Sequence, residues 1–228
     1  MTTEVVLATH NAKKLAELRR LVEAAGLPVT VLGLADLPAA PEPAETETTF
    51  EGNALIKARD AVARTGRIAL ADDSGIAVDR LNGMPGVRSA RWAGPGSTDA
   101  DNNTLLLRQL DDVPDPHRGA RFVCAMAMVA PDGREVVRHG VVEGRLLHGP
   151  RGDKGFGYDP LFVPDGHDLS TAELDPAAKD AISHRGRAVR AILVDLQDWL
   201  EAVDTRPTSA AGCTESTPAA GRAERESS

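Results

Sequence analysis

The run Thr9-His10-Asn11-Ala12-Lys13-Lys14 joins a hydroxyl, an amide and two ammonium groups within six positions. It follows an apolar run and precedes leucines at helical spacing, so it is predicted to lie between a strand and a helix. Free backbone N–H groups at such a helix start, with these side chains beside them, can bind a phosphate. The alternative interpretation is that Asn11 caps the helix and that both lysines are solvated.

A second candidate is Asp72-Asp73-Ser74-Gly75, which is predicted to follow a short buried strand at Ile68 to Ala71. Successive strand side chains face opposite ways, so one carboxylate can face a cleft while its neighbour braces the loop. One such carboxylate and a glutamate from the acidic loop 42–47 are enough for Mg²⁺, which keeps water and substrate phosphates among its ligands. An Asx-type turn between two strands is the competing interpretation.

The third candidate is the glycine-rich run Gly155-Phe156-Gly157-Tyr158-Asp159-Pro160. Glycines allow close backbone approach, Phe156 or Tyr158 could stack on a base, and Asp159 could accept hydrogen bonds from a base edge or a ribose. A glycine-rich turn with structural aromatics would look the same. Because aromatic residues make up only 3% of the chain, two of them in one such loop favour a functional role.

The remaining candidates are basic: Lys57 within a predicted helix, and Lys179 followed by Ser183-His184-Arg185 ahead of the last helix. Taken singly, Ser183 is a helix cap and the basic residues are solvated. Their positive charge suggests a shared role. The chain has a formal net charge of −8, the wrong sign for nonspecific nucleic-acid binding, so a bound polyphosphate would need cations concentrated locally or supplied by a metal. Lys14, Lys57, Lys179, Arg185 and one Mg²⁺ would supply them.

The elements that must position these residues alternate between strands and helices, which predicts an α/β fold with a mixed sheet flanked by helices. One hairpin, turning at Pro131-Asp132-Gly133, would be antiparallel. The predicted strands are Glu4 to Ala8, Val29 to Leu32, Ile68 to Ala71, Ile76 to Leu81, Arg121 to Val129 and Glu135 to Val142. The predicted helices run from Leu15 to Gly26, from a capping box at Thr48 and Glu51 to Gly66, from Thr98 to Leu110 and from Ala188 to Val203.

The composition of the chain excludes several classes of protein. The longest apolar run, Phe122 to Ala130, is about half as long as a membrane span needs. Cys124 and Cys213 form no metal or disulfide pattern, and no export signal is recognised at the start, so a reducing cytoplasmic location is expected. From residue 204 to 228 the chain lacks large apolar residues, and we predict a single domain, 1–203, followed by a disordered tail, 204–228.

Together these segments resemble the inosine triphosphate pyrophosphatase family, the Ham1-like nucleotide diphosphatases. The resemblance covers the chain from about Val5 to Leu200. Its five motifs are Thr9-x-Asn11-x-x-Lys14, Phe50-x-x-Asn53-Ala54-x-x-Lys57-Ala58, Ala71-Asp72-Asp73-Ser74-Gly75 running through Pro85-Gly86-Val87-x-Ser89-Ala90-Arg91, Gly155-Phe156-Gly157-Tyr158-Asp159-Pro160, and Lys179 with Ile182-Ser183-His184-Arg185. The chain departs from the family pattern at His10 and Glu47, where relatives often have glycine, and at Pro176-Ala177-Ala178, where they are more acidic.

The resemblance implies two lobes around a central nucleotide-binding cleft, a homodimer, and Mg²⁺-assisted hydrolysis of dITP, ITP and XTP to the monophosphate and pyrophosphate. It implies that Asp73 is the general base and a metal ligand, with Glu45 the best match for the second metal carboxylate. The residues implied to bind substrate are Thr9, His10, Asn11, Ala12, Lys13, Lys14, Asn53, Lys57, Ser74, Phe156, Gly157, Tyr158, Asp159, Lys179, His184 and Arg185. Other possibilities stay open at this point: a nucleotide kinase or an orthophosphate-releasing phosphatase, a sensor that binds Mg²⁺-nucleotide without turnover, and a relative that prefers pyrimidines.

Overall fold

The computed structural model describes residues 2–204 and contains a mixed six-stranded sheet with helices packed on both faces. The strands are β1 (Thr3–Leu7), β2 (Val29–Gly33), β3 (Ile68–Val78), β4 (Gly119–Val129), β5 (Glu135–Leu146) and β6 (Phe162–Pro164). The helices are α1 (Ala12–Ala24), α2 (Phe50–Thr65), α3 (Asp99–Gln109), α4 (Pro176–Ile182) and α5 (His184–Asp204), with short 3₁₀ turns between some of them. The α/β prediction with a mixed sheet is therefore confirmed.

The strand order is β2-β1-β3-β4-β5-β6. Strand β1 is parallel to both β2 and β3, whereas β3, β4, β5 and β6 pair antiparallel in that order. The predicted hairpin joins β4 to β5. The parallel part resembles the β-α opening of many nucleotide-binding folds, in which ligands bind beyond the carboxyl ends of the strands.

Strand β3 corrects one prediction. The sequence predicts a short strand that ends at Ala71 and is followed by Asp72 to Gly75, but β3 runs unbroken through these residues, with Asp73 opposite Ala125 and Ser74 opposite Cys124 of β4. Pairing with β4 over this whole stretch satisfies backbone groups that a loop would have to satisfy otherwise. The Asx-turn interpretation is thus wrong, and the two aspartates point to opposite faces of the sheet.

Three buried clusters form the core. One packs α1 and α5 on the sheet face that carries Leu70 and Met126, and one packs α2 on the opposite face. The third gathers α3 and the far ends of β3, β4 and β5 around Phe162. On α2 the buried side chains facing the sheet are mainly alanines, Ala54, Ala58 and Ala61, and such small residues let the helix lie close to β3.

Other boundaries differ from prediction in modest ways. Helix α2 is capped by Thr49, whose side chain accepts from Gly52 N, and not by Thr48. Helix α5 begins at His184, four residues before the predicted start at Ala188, and Ser183 caps it by accepting from Gly186 N. Helix α4 and strand β6 are not predicted from the sequence, and β5 extends four residues beyond its predicted end at Val142. Residues 205–228, which make up nearly all of the predicted disordered tail, lie outside the described residues.

None of the helices in residues 2–204 combines the length and apolar composition needed to cross a membrane.

Candidate active site

A cavity of about 330 Å³, here called the central cavity, lies where the predicted segments converge. The sequence-predicted residues in its wall are Thr9, His10, Asn11, Lys14, Glu45, Lys57, Ser74, Phe156, Gly157, Tyr158, Asp159, Lys179, His184 and Arg185. Four predicted residues do not line it: Ala12, Lys13, Asn53 and Asp73. All five segments therefore contribute to one space, although they come from positions as far apart as 9 and 185.

Asp72 is the centre of the charged network on the α1 and α5 side of the sheet. Its Oδ2 accepts from Lys14 Nζ at 2.8 Å, from Ser74 Oγ at 2.7 Å and from two nitrogens of Arg185 at 3.3 Å. Burial alone would raise the pKa of Asp72, but the charges of Lys14 and Arg185 outweigh it and lower the pKa below its usual value. Asp72 is therefore ionised and serves to hold two cations at the cavity wall.

Asp73 faces α2 and belongs to a different network. Asn53 Nδ2 donates to its Oδ2 at 3.2 Å, and Lys57 Nζ lies 3.5 Å from its Oδ1. Lys57 also donates to Glu45 Oε1 at 3.0 Å, so one ammonium is shared by two carboxylates. Burial raises the pKa of Asp73, and the negative charge of Glu45 adds to the effect, while Lys57 opposes it. Asp73 thus has the more basic carboxylate of the adjacent pair.

Glu45 reaches this network from the acidic loop, where Arg91 Nη1 donates to its Oε2 at 2.8 Å. Burial works to raise the pKa of Glu45, but Arg91 and Lys57 lower it, so its carboxylate is ionised. The loop itself is tied to α2, because Asn53 Oδ1 accepts from Glu47 N and its Nδ2 donates to Glu47 O. Asn53 is fully buried, which makes it a positioning residue for the loop and for Asp73.

The carboxylates of Glu45 and Asp73 fit a magnesium ion in their chemistry. Both face the single position that Lys57 Nζ occupies, at 3.0 and 3.5 Å. Within residues 2–204, no three histidine, cysteine, aspartate or glutamate side chains form a ready-made metal cluster. Two carboxylates, with the remaining ligands supplied by water and phosphate oxygens, would match the preference of Mg²⁺ for a site that the substrate completes.

The N-terminus of α1 is capped by the side chain of Asn11. Asn11 Oδ1 accepts from the backbone N–H groups of Lys13 and Lys14 at 2.9 and 3.2 Å, and Thr9 Oγ1 accepts from Asn11 N. Asn11 is thus confirmed as the helix cap, but the expectation that both lysines are solvated is wrong, because Lys13 Nζ donates to Gly155 O and Lys14 Nζ to Asp72 Oδ2. A phosphate at this end of the cavity would meet the side chains of Thr9, Asn11 and Lys14, and it would have to replace Asn11 to reach those two N–H groups.

The glycine-rich loop forms the aromatic wall. The cationic groups of Lys13, Lys179 and Arg185 lie 5.7, 4.8 and 5.3 Å from the centroid of the Phe156 ring. Asp159 holds this loop, because its Oδ2 accepts from Phe156 N at 2.8 Å and from Lys179 Nζ at 2.6 Å. The other carboxylate oxygen, Oδ1, accepts from Thr171 Oγ1. Both oxygens of the buried Asp159 are therefore hydrogen-bonded within the protein, and Asp159 stabilises the aromatic wall.

Tyr158 is buried, and its hydroxyl donates to Ser89 O at 2.8 Å. Helix α3 holds the neighbouring glycine by two hydrogen bonds: Gly157 N donates to Asp99 Oδ2 at 2.7 Å and Gly157 O accepts from Asn103 Nδ2 at 3.0 Å. Phe156 is therefore the aromatic residue of the loop that is left to face a ligand.

His184 and Arg185 close the cavity at the start of α5. The His184 ring stacks on Phe122 with centroids 4.7 Å apart and planes 11° apart. Burial lowers the pKa of His184 well below its usual value, and the charges of Arg185 and Lys179 lower it further, so the imidazole is neutral. Arg185 also donates to Glu17 Oε2 at 2.9 Å, which leaves its buried guanidinium fixed between two carboxylates.

Polar residues of this site that were not predicted from the sequence include Glu17, Arg91 and Asp99. Glu17 carried a usable signal, since a charge three positions after Lys14 and next to the apolar Leu18 predicts a buried partner. Arg91 was part of a quoted motif without a role. Asp99 had no signal beyond its place in the first turn of a helix.

Comparison with known proteins agrees with this geometry. The model of the Ham1 family matches residues 5–194. The chain is 60% identical to a dITP/XTP pyrophosphatase of Nocardia farcinica, and the match covers 83% of this chain and 92% of the relative. It is 57% identical to a dITP/XTP pyrophosphatase of Cutibacterium acnes, and that match covers 87% of this chain and 98% of the relative.

Solved structures give the same result. A HAM1 protein from Coxiella burnetii superposes with a TM-score of 0.78 at 41% identity, covering 86% of this chain and 99% of the other. A dITP/XTP pyrophosphatase from Mycobacterium abscessus superposes with a TM-score of 0.69 at 53% identity, covering 84% and 99%. With most of its length matched in sequence and in structure, this chain belongs to the Ham1 family.

Proposed function

We propose that the protein hydrolyses the non-standard purine nucleoside triphosphates dITP, ITP and XTP to the nucleoside monophosphate and pyrophosphate, and so removes them from the nucleotide pool. The observation that carries the proposal is the central cavity, which joins an aromatic wall, several cations and the Glu45–Lys57–Asp73 network. Relatives that share more than half of their residues with this chain are dITP/XTP pyrophosphatases. A nucleotide fits such a cavity with its base at Phe156 and its phosphates toward Lys57.

Asp73 is the proposed general base. Its raised pKa makes it a better proton acceptor than an ordinary carboxylate, and Asn53 and Lys57 fix its orientation. It takes the proton of the water that attacks the phosphate chain. When bound by Glu45 and Asp73, Mg²⁺ supplies positive charge at the phosphate oxygens and lowers the pKa of water. Lys14 and Lys57 stabilise the charge that develops on the phosphates.

Selection for a 6-oxo purine follows from the donors at the α5 end of the cavity. Arg185 carries only N–H donors, and the neutral His184 can present one. Such donors match the O6 of hypoxanthine or xanthine, whereas the amino group of adenine would face them donor to donor. An unpaired buried donor costs about 1–3 kcal/mol, so two mismatches give useful discrimination.

A substrate panel tests this proposal. The full chain with Mg²⁺ is assayed on dITP, XTP, dGTP, dTTP and UTP while pyrophosphate and orthophosphate are measured separately. We expect pyrophosphate release, fastest with dITP or XTP. Binding of dITP without any turnover would indicate a sensor, and the highest rate on dTTP or UTP would indicate a pyrimidine enzyme; either result contradicts the proposal.

Two further expectations belong to the same proposal. The homodimer implied by the family resemblance is checked by light scattering after size-exclusion chromatography, where a mass near twice 24.0 kDa is expected. A cytoplasmic location suits a reaction on the nucleotide pool and is checked by cell fractionation.

A further inference from the structure

A second cavity of about 650 Å³, here called the side cavity, adjoins the central cavity. Asp60, Arg64 and Arg91 line it and do not line the central cavity. Glu45 and Lys57 line both cavities, whereas Phe156 lines only the central cavity. The two spaces therefore share the wall at which the proposed reaction occurs.

Helix α2 links the two cavities through a polar stripe. Asn53, Lys57, Asp60 and Arg64 are spaced by four, three and four residues, which places them along one face of the helix. The stripe begins at Asn53, which contacts Asp73, and continues through Lys57. It ends at an ion pair, in which Arg64 Nη2 lies 2.8 Å from Asp60 Oδ2.

The charges of the side cavity alternate in sign. Arg91 is paired with Glu45 and Arg64 with Asp60, while Lys57 faces Glu45 as well. Such a wall has little net charge, so it offers no strong attraction for a bare anion. It suits an anion that carries its own divalent cation, since guanidinium and ammonium groups meet the phosphate oxygens while the Glu45 carboxylate faces the metal.

We propose that the side cavity binds inorganic pyrophosphate, as its complex with Mg²⁺, after it is cleaved from the nucleotide. The inference rests on the proposed function. A nucleotide with its base at Phe156 directs its phosphates toward the wall that Glu45 and Lys57 share between the cavities. Arg64 is the last residue of the α2 stripe and binds a terminal phosphate oxygen. Pyrophosphate then has a way out that does not pass the monophosphate.

The test is calorimetric titration of the full chain with pyrophosphate, and separately with dIMP, in MgCl₂. For Arg64→Gln we expect the Kd of pyrophosphate to rise about tenfold, as for the loss of one charge-assisted contact, and the Kd of dIMP to stay the same. Arg59→Gln is the matched control, because Arg59 lies on the same helix but pairs outside the cavity with Glu135. It should bind pyrophosphate like the wild type.

Asp60→Asn separates a binding role from a structural one. It breaks the same ion pair but keeps the Arg64 guanidinium, so pyrophosphate affinity should be kept or increased. Equal weakening in Asp60→Asn and Arg64→Gln, or an unchanged Kd in Arg64→Gln, would overturn the inference. Because this binding needs no turnover, the result is independent of the substrate panel: an enzyme that releases pyrophosphate yet shows wild-type binding in Arg64→Gln refutes only the side-cavity site.

Discussion

At the scale of single residues, the two neighbouring aspartates of β3 show how orientation decides chemistry. Asp72 and Asp73 differ by one position, so they face opposite sides of the sheet. Asp72 meets Lys14 and Arg185 and has a lowered pKa, whereas Asp73 shares Lys57 with Glu45 and has a raised pKa. The first is a counter-ion for cations of the site, and the second is suited to accept a proton.

Asp73→Asn should lower kcat for dITP by about 10²- to 10⁴-fold, because the variant keeps the size of the side chain but removes the base. The Kd of dITP should change by much less, because the variant keeps the residues that line the central cavity, among them Lys14, Lys57 and Phe156. Steady-state kinetics and calorimetry with the same preparation measure both quantities. Near-normal turnover in this variant would remove Asp73 from the role of general base.

Asp72→Asn is the matched comparison, and its main effect should be on stability. It leaves Lys14 and Arg185 facing a neutral group inside the protein, which typically costs about 3–5 kcal/mol of unfolding free energy. Denaturant titration checks this. A variant as stable as the wild type would show that the network around Asp72 contributes little.

His184 predicts a pH dependence of stability. Its pKa is lowered in the folded protein, so below the ordinary value of about 6.5 the unfolded chain binds a proton that the folded chain does not. This group therefore lowers stability as the pH falls from about 6.5, by up to about 1.4 kcal/mol per pH unit. His184→Phe keeps an aromatic ring on Phe122 and removes the titration. Denaturant titrations at several pH values should show a shallower slope for the variant; equal slopes would contradict a neutral buried imidazole.

At the scale of elements, close contacts at glycine place the helices that carry the site. Gly140 of β5 lies against the start of α5, where a Cβ would collide with the backbone at His184 and Ala188. Strand β5 thus sets the position of the helix start that presents His184 and Arg185.

Gly140→Ala should therefore reduce the unfolding free energy by about 1–3 kcal/mol, since the added methyl group must push strand and helix apart. The KM for dITP should rise as well. Gly149→Ala is the control, because its Cβ would have open space, and it should change stability by less than about 0.5 kcal/mol. Thermal unfolding of both variants measures the difference, and equal stability would argue against a tight contact.

Prediction from sequence worked for elements with strong periodicity, such as α1 and the hairpin of β4 and β5. It failed for β3, because the polar run Asp72-Asp73-Ser74-Gly75 has the composition of a turn and only the pairing with β4 keeps it extended. It also missed β6, whose three residues pair with β5. In each failure a contact distant in sequence outweighed the local preference.

The candidate site was predictable in its residue types but not in their pairing. The motifs named the cations and carboxylates, yet no spacing in the sequence shows that Arg185 lies between Asp72 and Glu17. In the same way, no local sequence pattern shows that Asp159 accepts hydrogen bonds from Phe156 N and Lys179 Nζ. Such partners come from elements more than a hundred positions apart, or from both ends of a loop whose path depends on the fold.

At the scale of the whole molecule, the sheet brings five separate segments to one cavity. Helices α1 and α5 deliver Lys14 and Arg185 from one face, α2 delivers Lys57 from the other, and the glycine-rich loop closes the space with Phe156. The proposed binding of a polyphosphate by this acidic chain is consistent with cations concentrated here and with the carboxylates of Glu45 and Asp73 set apart on the α2 side.

The most direct test of the account is ³¹P NMR of dITP turnover by the full chain with Mg²⁺. Cleavage between the α and β phosphates should give dIMP and pyrophosphate in equal amounts, and Asp73→Asn at the same concentration should leave dITP intact over the same period. The appearance of dIDP with orthophosphate, or of pyrophosphate at the wild-type rate in Asp73→Asn, would contradict the central claim.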